Sequence, residues 1–229
     1  DTEKNRIWQK ITEYAEASAS ELSELRRDFH RHPEPGWMEF RTSGRIADLL
    51  HLYGCDEVLT DQQVCKAEAR MGVPEGGGMT GVIGMLHCGM GPTVALRFDI
   101  DALPVRECEE LDHFPAQEGF RSEHAGYMHA CGHDGHITVG LGTAKLLCQM
   151  REQLHGTVKF IFQPAEEGVR GARAIVENGH LEDVDFLLAA HMYGGSEQHP
   201  CGICITAGHG LATTKLDVDF HGKASHAAA

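Results

Sequence analysis

Apolar residues at Ile7, Ile11, Tyr14, Ala15, Leu22 and Leu25 recur at helical spacing, with the small Ser18 on the same face. They predict a helix over residues 6 to 28. His30-Arg31-His32-Pro33-Glu34-Pro35-Gly36 breaks that pattern as a turn, because two prolines and a glycine cannot continue it. A second helix is expected from Phe40 to Tyr53, closed by Gly54. The stretch 55 to 80, with Gly76-Gly77-Gly78 near its end, reads as a loop. Beyond it the period changes. Val82–Leu86, Val94–Phe98, Thr157–Phe162 and Phe186–Ala190 are short apolar runs bounded by turn residues, as buried strands are. Between them lie a helical face over His136–Met150 (Ile137, Leu141, Ala144, Leu147, Cys148) and a short helix over Arg170–Glu177 that ends at Asn178-Gly179. Strands alternating with helices predict an α/β fold, a mostly parallel sheet flanked by helices. From Thr213 the alternation Leu216, Val218, Phe220 reads as a half-exposed strand that opens a new element. The expected organisation is one domain over residues 1–212 and the start of a second over 213–229.

Composition narrows the function. At 229 residues, 41% apolar and 24% charged, the chain has the make-up of a soluble globular protein. A net charge of −14 argues against a nucleic-acid or anionic-membrane partner, because binding phosphate needs a basic face. No run of apolar residues is long enough to span a bilayer, and the polar start Asp1-Thr2-Glu3-Lys4 is not a signal-peptide core. Eight scattered cysteines read as reduced thiols, which makes a cytoplasmic location the expectation. Cys201-Gly-Ile-Cys204 has the spacing of redox and zinc sites but sits in a strand-like run with no second pair, so it reads as structural.

The chemistry concentrates at strand ends, where sheets of this kind collect functional residues. Cys131 and His133 lie two apart in His129-Ala-Cys-Gly-His-Asp-Gly-His136, and a thiolate with an imidazole suits zinc, or manganese or cobalt. Gly132 and Gly135 free the backbone there; the bland alternative is a buried cysteine beside a surface histidine. Glu166 and Glu167 follow the strand Thr157–Phe162. Read as extended backbone, they point opposite ways, one toward a metal and one toward water, and their proximity raises one pKa as a general base requires. Asp99 and Asp101 follow another strand and either serve a cation and its histidine or pair with Arg97 or Arg106. His191 ends the strand Phe186–Ala190, either as a ligand or as a capped terminus, and His226 lies among small residues in the last segment.

Four motifs together resemble one family: Arg27-Asp-Phe-His-Arg-His-Pro-Glu34, Arg97-Phe-Asp-Ile-Asp-Ala-Leu-Pro104, His129–His136 and Gln163-Pro-Ala-Glu-Glu-Gly168. They are similar to the di-metal amidohydrolases of the aminoacylase/carboxypeptidase clan of zinc peptidases, in the branch that cleaves N-acyl and auxin–amino-acid conjugates. Arg70–Pro74, Arg170–Ala174 and Ala212–Lys215 resemble the aminobenzoyl-glutamate-hydrolysing group of that branch. The resemblance implies two divalent metal ions, Zn or Mn, with Cys131 bridging and His133, Glu167 and His191 as further ligands. It implies Glu166 as general base and then acid, Asp101 as the catalytic residue that orients a ligand, and His226 as a substrate-binding residue presented by a lid and dimerisation domain. The implied reaction is hydrolysis of an N-acyl or aroyl amino acid, foremost p-aminobenzoyl-glutamate to p-aminobenzoate and glutamate. The expected partners are that small-molecule substrate and a second protomer, in a homodimer or a heterodimer with a paralogue. In this family the catalytic domain resumes after the lid and adds one more histidine ligand, so the chain ending at Ala229 is expected to be incomplete and inactive alone. A general N-acyl-amino-acid amidohydrolase or carboxypeptidase, or a non-catalytic fragment or partner subunit, are the competing readings.

Overall fold

The computed structural model describes residues 2–110, 112–168, 170–192, 218–219 and 221–222. The chain divides into two compact units, residues 1–193 and 194–229; the architecture below belongs to the first. Of the strand expected from Thr213, only Val218 and Asp219 are described, and neither lies in a strand; the proposed boundary at 212/213, the Cys201/Cys204 pair and His226 lie outside the described residues.

The first helix, α1 (Thr2–Arg31), is longer than its apolar repeat, and α2 (Phe40–Tyr53) follows a short turn. The chain leaves α1 before Pro33, whose ring disfavours helical backbone in the residue ahead of it. At the end of α2, Gly54 adopts φ +92°, and its N–H and that of Cys55 return to His51 and Leu50 carbonyls. The expected loop 55–80 in fact holds a strand, β1 (Glu57–Thr60), and two 3-10 turns. Then come β2 (Val82–His87), β3 (Thr93–Asp99), a single-turn α3 (Phe114–Gln117), α4 (His133–Gln149), β4 (Thr157–Gln163), α5 (Gly171–Val176) and β5 (Phe186–Ala189).

These five strands form one sheet in the order β1-β2-β4-β3-β5. The α/β class is as expected. Parallel pairing is confined to β4–β3 and β3–β5, whereas β1–β2 and β2–β4 are antiparallel, so the sheet is mixed. The parallel pair β3–β4 is joined through α4, the crossover such pairs require. In consequence β3, β4 and β5 all deliver their carboxyl ends to one edge, followed at once by Asp99–Asp101, Glu166–Glu167 and His191.

Side chains alternate between the two faces at the period of a strand. Val82, Leu86, Phe98, Phe160 and Phe162 join Leu25, Phe29, Ile46, Leu50, Ile137 and Leu141 in a core beneath α1, α2 and α4. Ile83, Ala95 and Ile161 face the other way, onto Trp37, Val64, Cys65, Ala174 and Ile175. Gly140 sets how closely α4 can approach. A Cβ there would lie 2.7 Å from the Phe98 ring and 2.8 Å from the Phe162 ring.

Candidate metal centre

α4 begins at His133, immediately after Gly132 at φ +82°, a left-handed conformation that a residue bearing Cβ adopts at a cost. Cys131 and His133 are therefore not neighbours on an extended loop. The thiol precedes the turn and the imidazole sits on the first helical residue. Asp134 anchors this end of the helix: it is buried, receives Arg26 Nε at 2.7 Å and pairs with His30 Nδ1 at 2.8 Å. His30 is in turn 2.9 Å from Glu107, which also meets His113 at 2.8 Å and the Ser122 N–H at 2.6 Å. Burial disfavours the charged His30 ring, but its bonds to Asp134 and Glu107 outweigh this and raise its pKa.

Asp101 organises the centre. Its two carboxylate oxygens accept the N–H groups of Glu166 at 2.9 Å and Glu167 at 3.0 Å, and its backbone carbonyl accepts from His133 Nδ1 at 2.8 Å. Holding the proton of His133 on Nδ1 leaves Nε2 as a lone-pair donor, the arrangement a ligating histidine needs. Around that Nε2 lie Glu166 Oε2 at 3.8 Å and Glu167 Oε1 at 3.9 Å. Both carboxylates thus face the same centre, which corrects the expectation that consecutive side chains diverge. Glu166 and Glu167 lie in a turn rather than extended backbone, entered through Ala165 at φ +47°. That conformation is held by the Ala165 N–H on Glu39 Oε1 at 2.8 Å and by the N–H groups of Arg170 and Gly171 on the Ala165 carbonyl at 3.2 and 2.9 Å. Arg170 Nε also binds the Glu167 carbonyl at 2.9 Å.

Cys131, His133 and Glu167 each offer a ligand atom within 4.8 Å of the others. His191 joins them: its Nε2 lies 3.6 Å from Cys131 Sγ, while its Nδ1 donates to the Met192 carbonyl at 2.7 Å. His133 Nε2 and Glu167 Oε1 are buried without any hydrogen-bond partner. Orphaned buried polar atoms are costly, and here the two converge with a thiol and a second imidazole. Soft and borderline donors of this kind fit a divalent zinc-like ion. Burial and the nearby Glu167 push the Cys131 thiol up to about 12, so a metal would have to displace its proton. Burial and Asp99 also raise the Glu166 carboxyl. His133 is raised as well, because its bond to Asp101 and the charge of Asp99 overcome burial.

A second histidine of the first helical turn escaped the sequence reasoning. His136 follows His133 by three residues, so the two share a helix face, and their rings stack at 5.2 Å. Its Nδ1 bonds Asp99 and its Nε2 accepts the Met192 N–H at 2.7 Å. Both nitrogens are engaged, which holds the His191–Met192 segment in place, and Asp99, His133, His136 and His191 form a second group whose ligand atoms lie within 4.8 Å of one another. Asp99 also meets Arg97 at 2.7 Å; burial would raise its pKa, but His136 and Arg97 bring it down to about 2. Both alternatives considered for Asp99, service to a histidine and pairing with Arg97, are therefore present at once. Glu39 was not anticipated either. It follows no motif, yet it is wholly buried and braces the Ala165 turn and Thr80.

Comparison with known proteins identifies the family. The model of peptidase family M20/M25/M40 matches residues 95–228. The chain is 40% identical to one of the subunits of p-aminobenzoyl-glutamate hydrolase from Escherichia coli strain K12, over 96% of this chain and 56% of that protein. It is 41% identical to indole-3-acetyl-aspartic acid hydrolase of Enterobacter agglomerans, over 95% of this chain and 55% of that protein. It therefore spans about half the length of these curated relatives. Among solved structures, a dinuclear metal-binding peptidase of the M20 family from Bacillus subtilis superposes with a TM-score of 0.64 at 40% identity, covering 77% of this chain and 44% of that one. Matched family, strand-end site and convergent ligand atoms agree, and the chain belongs to peptidase family M20/M25/M40.

Proposed function

We propose that this chain carries the metal-binding part of a metal-dependent amidohydrolase. The observation that supports it most is the convergence of the partnerless His133 Nε2 and Glu167 Oε1 with Cys131 and His191. Cys131, His133, Glu167 and His191 would hold divalent ions, zinc or manganese, two of them by analogy with the dinuclear relative. Such ions would supply the Lewis-acid charge that polarises an amide carbonyl and acidifies water. Glu166 is the proton carrier in this reading. Its raised pKa, from burial and Asp99, lets it take a proton from the attacking water and return it to the leaving amino nitrogen. Asp101 holds both glutamates in register through their N–H groups and fixes the His133 tautomer. His226 would bind the substrate carbonyl.

The two curated relatives are named for amides that join an aromatic acyl group to an acidic amino acid. We take that as the substrate class, with p-aminobenzoyl-glutamate foremost. The working assembly is a cytoplasmic dimer, formed with a second copy or with a paralogue. No helix among the described residues is long and apolar enough to cross a membrane. The test uses the gene product as its native gene encodes it, assayed side by side on p-aminobenzoyl-glutamate, indole-3-acetyl-aspartate and simple N-acetyl amino acids. Preference for the aromatic conjugates, with turnover abolished but metal retained in Glu166→Ala, supports the reading. Unchanged turnover in that variant overturns the role of Glu166, and preference for N-acetyl amino acids makes the protein a general aminoacylase.

A further inference from the structure

Three cysteines lie far from the metal ligands, at the other end of α4. Cys148 occupies the last turn of that helix, Cys55 follows the Gly54 cap of α2, and Cys88 follows β2. All three are free and half-buried. Cys55 and Cys148 approach each other with Sγ atoms 3.9 Å apart. The backbone around Cys55 is pinned by Arg151, three residues past Cys148, which donates to the Gly54 carbonyl at 2.7 Å and to Asp56 Oδ1 at 2.9 Å. The Cys55 N–H is held by the Leu50 carbonyl at 3.1 Å. Arg151 thus staples the two residues flanking Cys55 to the end of the helix that carries Cys148.

The geometry points to Cys55–Cys148 as a reversible dithiol–disulfide site, a redox modification site separate from the metal centre. A disulfide needs the two sulfurs, now 3.9 Å apart at a helix end and a loop, to close to bonding distance. We take Cys148 as the attacking sulfur, because its contact with Cys55 and the Arg151 charge lower its pKa against the effect of burial. With a hydroperoxide as oxidant, the Cys148 thiolate attacks the peroxide oxygen, forming a sulfenic acid and releasing hydroxide. The Cys55 sulfur then displaces the hydroxyl from Cys148 and gives up its proton, so that water leaves. The sulfur pair loses two electrons and the peroxide gains them. The bond would fasten the C-terminal end of α4 to the α2–β1 connection. That end lies about 22 Å along the helix axis from His133, fifteen residues away.

The test oxidises the protein with hydrogen peroxide, or with glutathione disulfide, caps remaining thiols with N-ethylmaleimide, and maps tryptic peptides by mass spectrometry. The expected product joins the peptide Ile46–Lys66 to Leu146–Arg151 with the loss of two hydrogens and is reversed by dithiothreitol. Because Cys65 shares the first peptide, fragmentation must place the link on Cys55. Cys55→Ser and Cys148→Ser should abolish the link and Cys88→Ser should keep it. The oxidised parent should unfold at a higher temperature than the reduced parent, a difference absent from Cys55→Ser. A link to Cys65 or Cys88, a glutathione adduct or sulfinic acid on Cys148 without cross-linking, or capping of both thiols after oxidation would each overturn the proposal.

Discussion

Replacing Asp101 by Asn isolates the residue that organises the centre. Its carboxylate accepts two backbone N–H groups, at 2.9 and 3.0 Å, and is 1% exposed, so water cannot substitute. A carboxamide has one acceptor oxygen. One of the two N–H groups would face an NH2 group, and the surviving bond would lose its ionic character. Losing one charge-assisted bond and weakening the other costs about 2–4 kcal/mol. Part returns, because a neutral amide is easier to bury than a carboxylate. The net expectation is a destabilisation of about 1–3 kcal/mol, or an unfolding midpoint lower by roughly 3–10 °C for a domain of this size. Because the turn bearing Glu167 loosens, zinc affinity should also fall by about 10–100-fold. Thermal unfolding followed by circular dichroism in chelator gives the first quantity, and competition titration with a chromophoric chelator gives the second. A variant that melts within about 1 °C of the parent and binds zinc equally well would refute the claim that these two bonds hold the glutamates in place.

Other outcomes follow from the same structure. Burial, aided by Asp101, raises Glu39 to about 8 in the folded protein. The native state then keeps a proton that the unfolded state releases near the ordinary carboxylate pKa. Its contribution is present at low pH and fades as pH rises through about 8. Glu39→Gln should therefore gain stability relative to the parent between pH 5 and 8 in urea titrations; parallel curves would count against it. Gly140→Ala gains about 1 kcal/mol of helix propensity but drives a methyl group into the Phe98 and Phe162 rings. Overpacking at about 1–3 kcal/mol should win, and a rise in urea midpoint would contradict it. Because burial and Glu167 keep the Cys131 thiol protonated, zinc binding should release protons and tighten as pH rises. Calorimetry in buffers of different ionisation enthalpy would detect that release, and buffer-independent heats would argue against a thiol ligand.

The α/β class and the main elements were legible because β2, β3 and β4 are short apolar runs bounded by turn residues and α4 keeps an apolar period of about 3.6. What escaped has physical reasons. β1, Glu-Val-Leu-Thr, is a short edge strand with no fully buried residue, so its period carries little signal. The antiparallel pairing of β2 with β4 arises because β4 inserts between β2 and β3, a tertiary choice invisible in local pattern. At the site, Cys131, His133, Glu167 and His191 were all named from the sequence and come together. The conformation of Glu166-Glu167 was misjudged because it depends on Ala165 at positive φ, which Glu39, distant in sequence, helps to hold. His136 was passed over because α4 was expected to begin there rather than three residues earlier. Placed on the first turn, its spacing from His133 would have marked it.

The central claim is that Cys131 belongs to a metal centre with His133, Glu167 and His191. Cobalt(II) titration followed by absorption spectroscopy tests it most directly, since a thiolate bound to cobalt gives an intense near-ultraviolet charge-transfer band. The account predicts that band in the parent and in a Cys201→Ser/Cys204→Ser variant, its loss in Cys131→Ser, and weaker binding in His133→Ala and Glu167→Ala. A parent that shows no such band, or one that survives in Cys131→Ser, would contradict it.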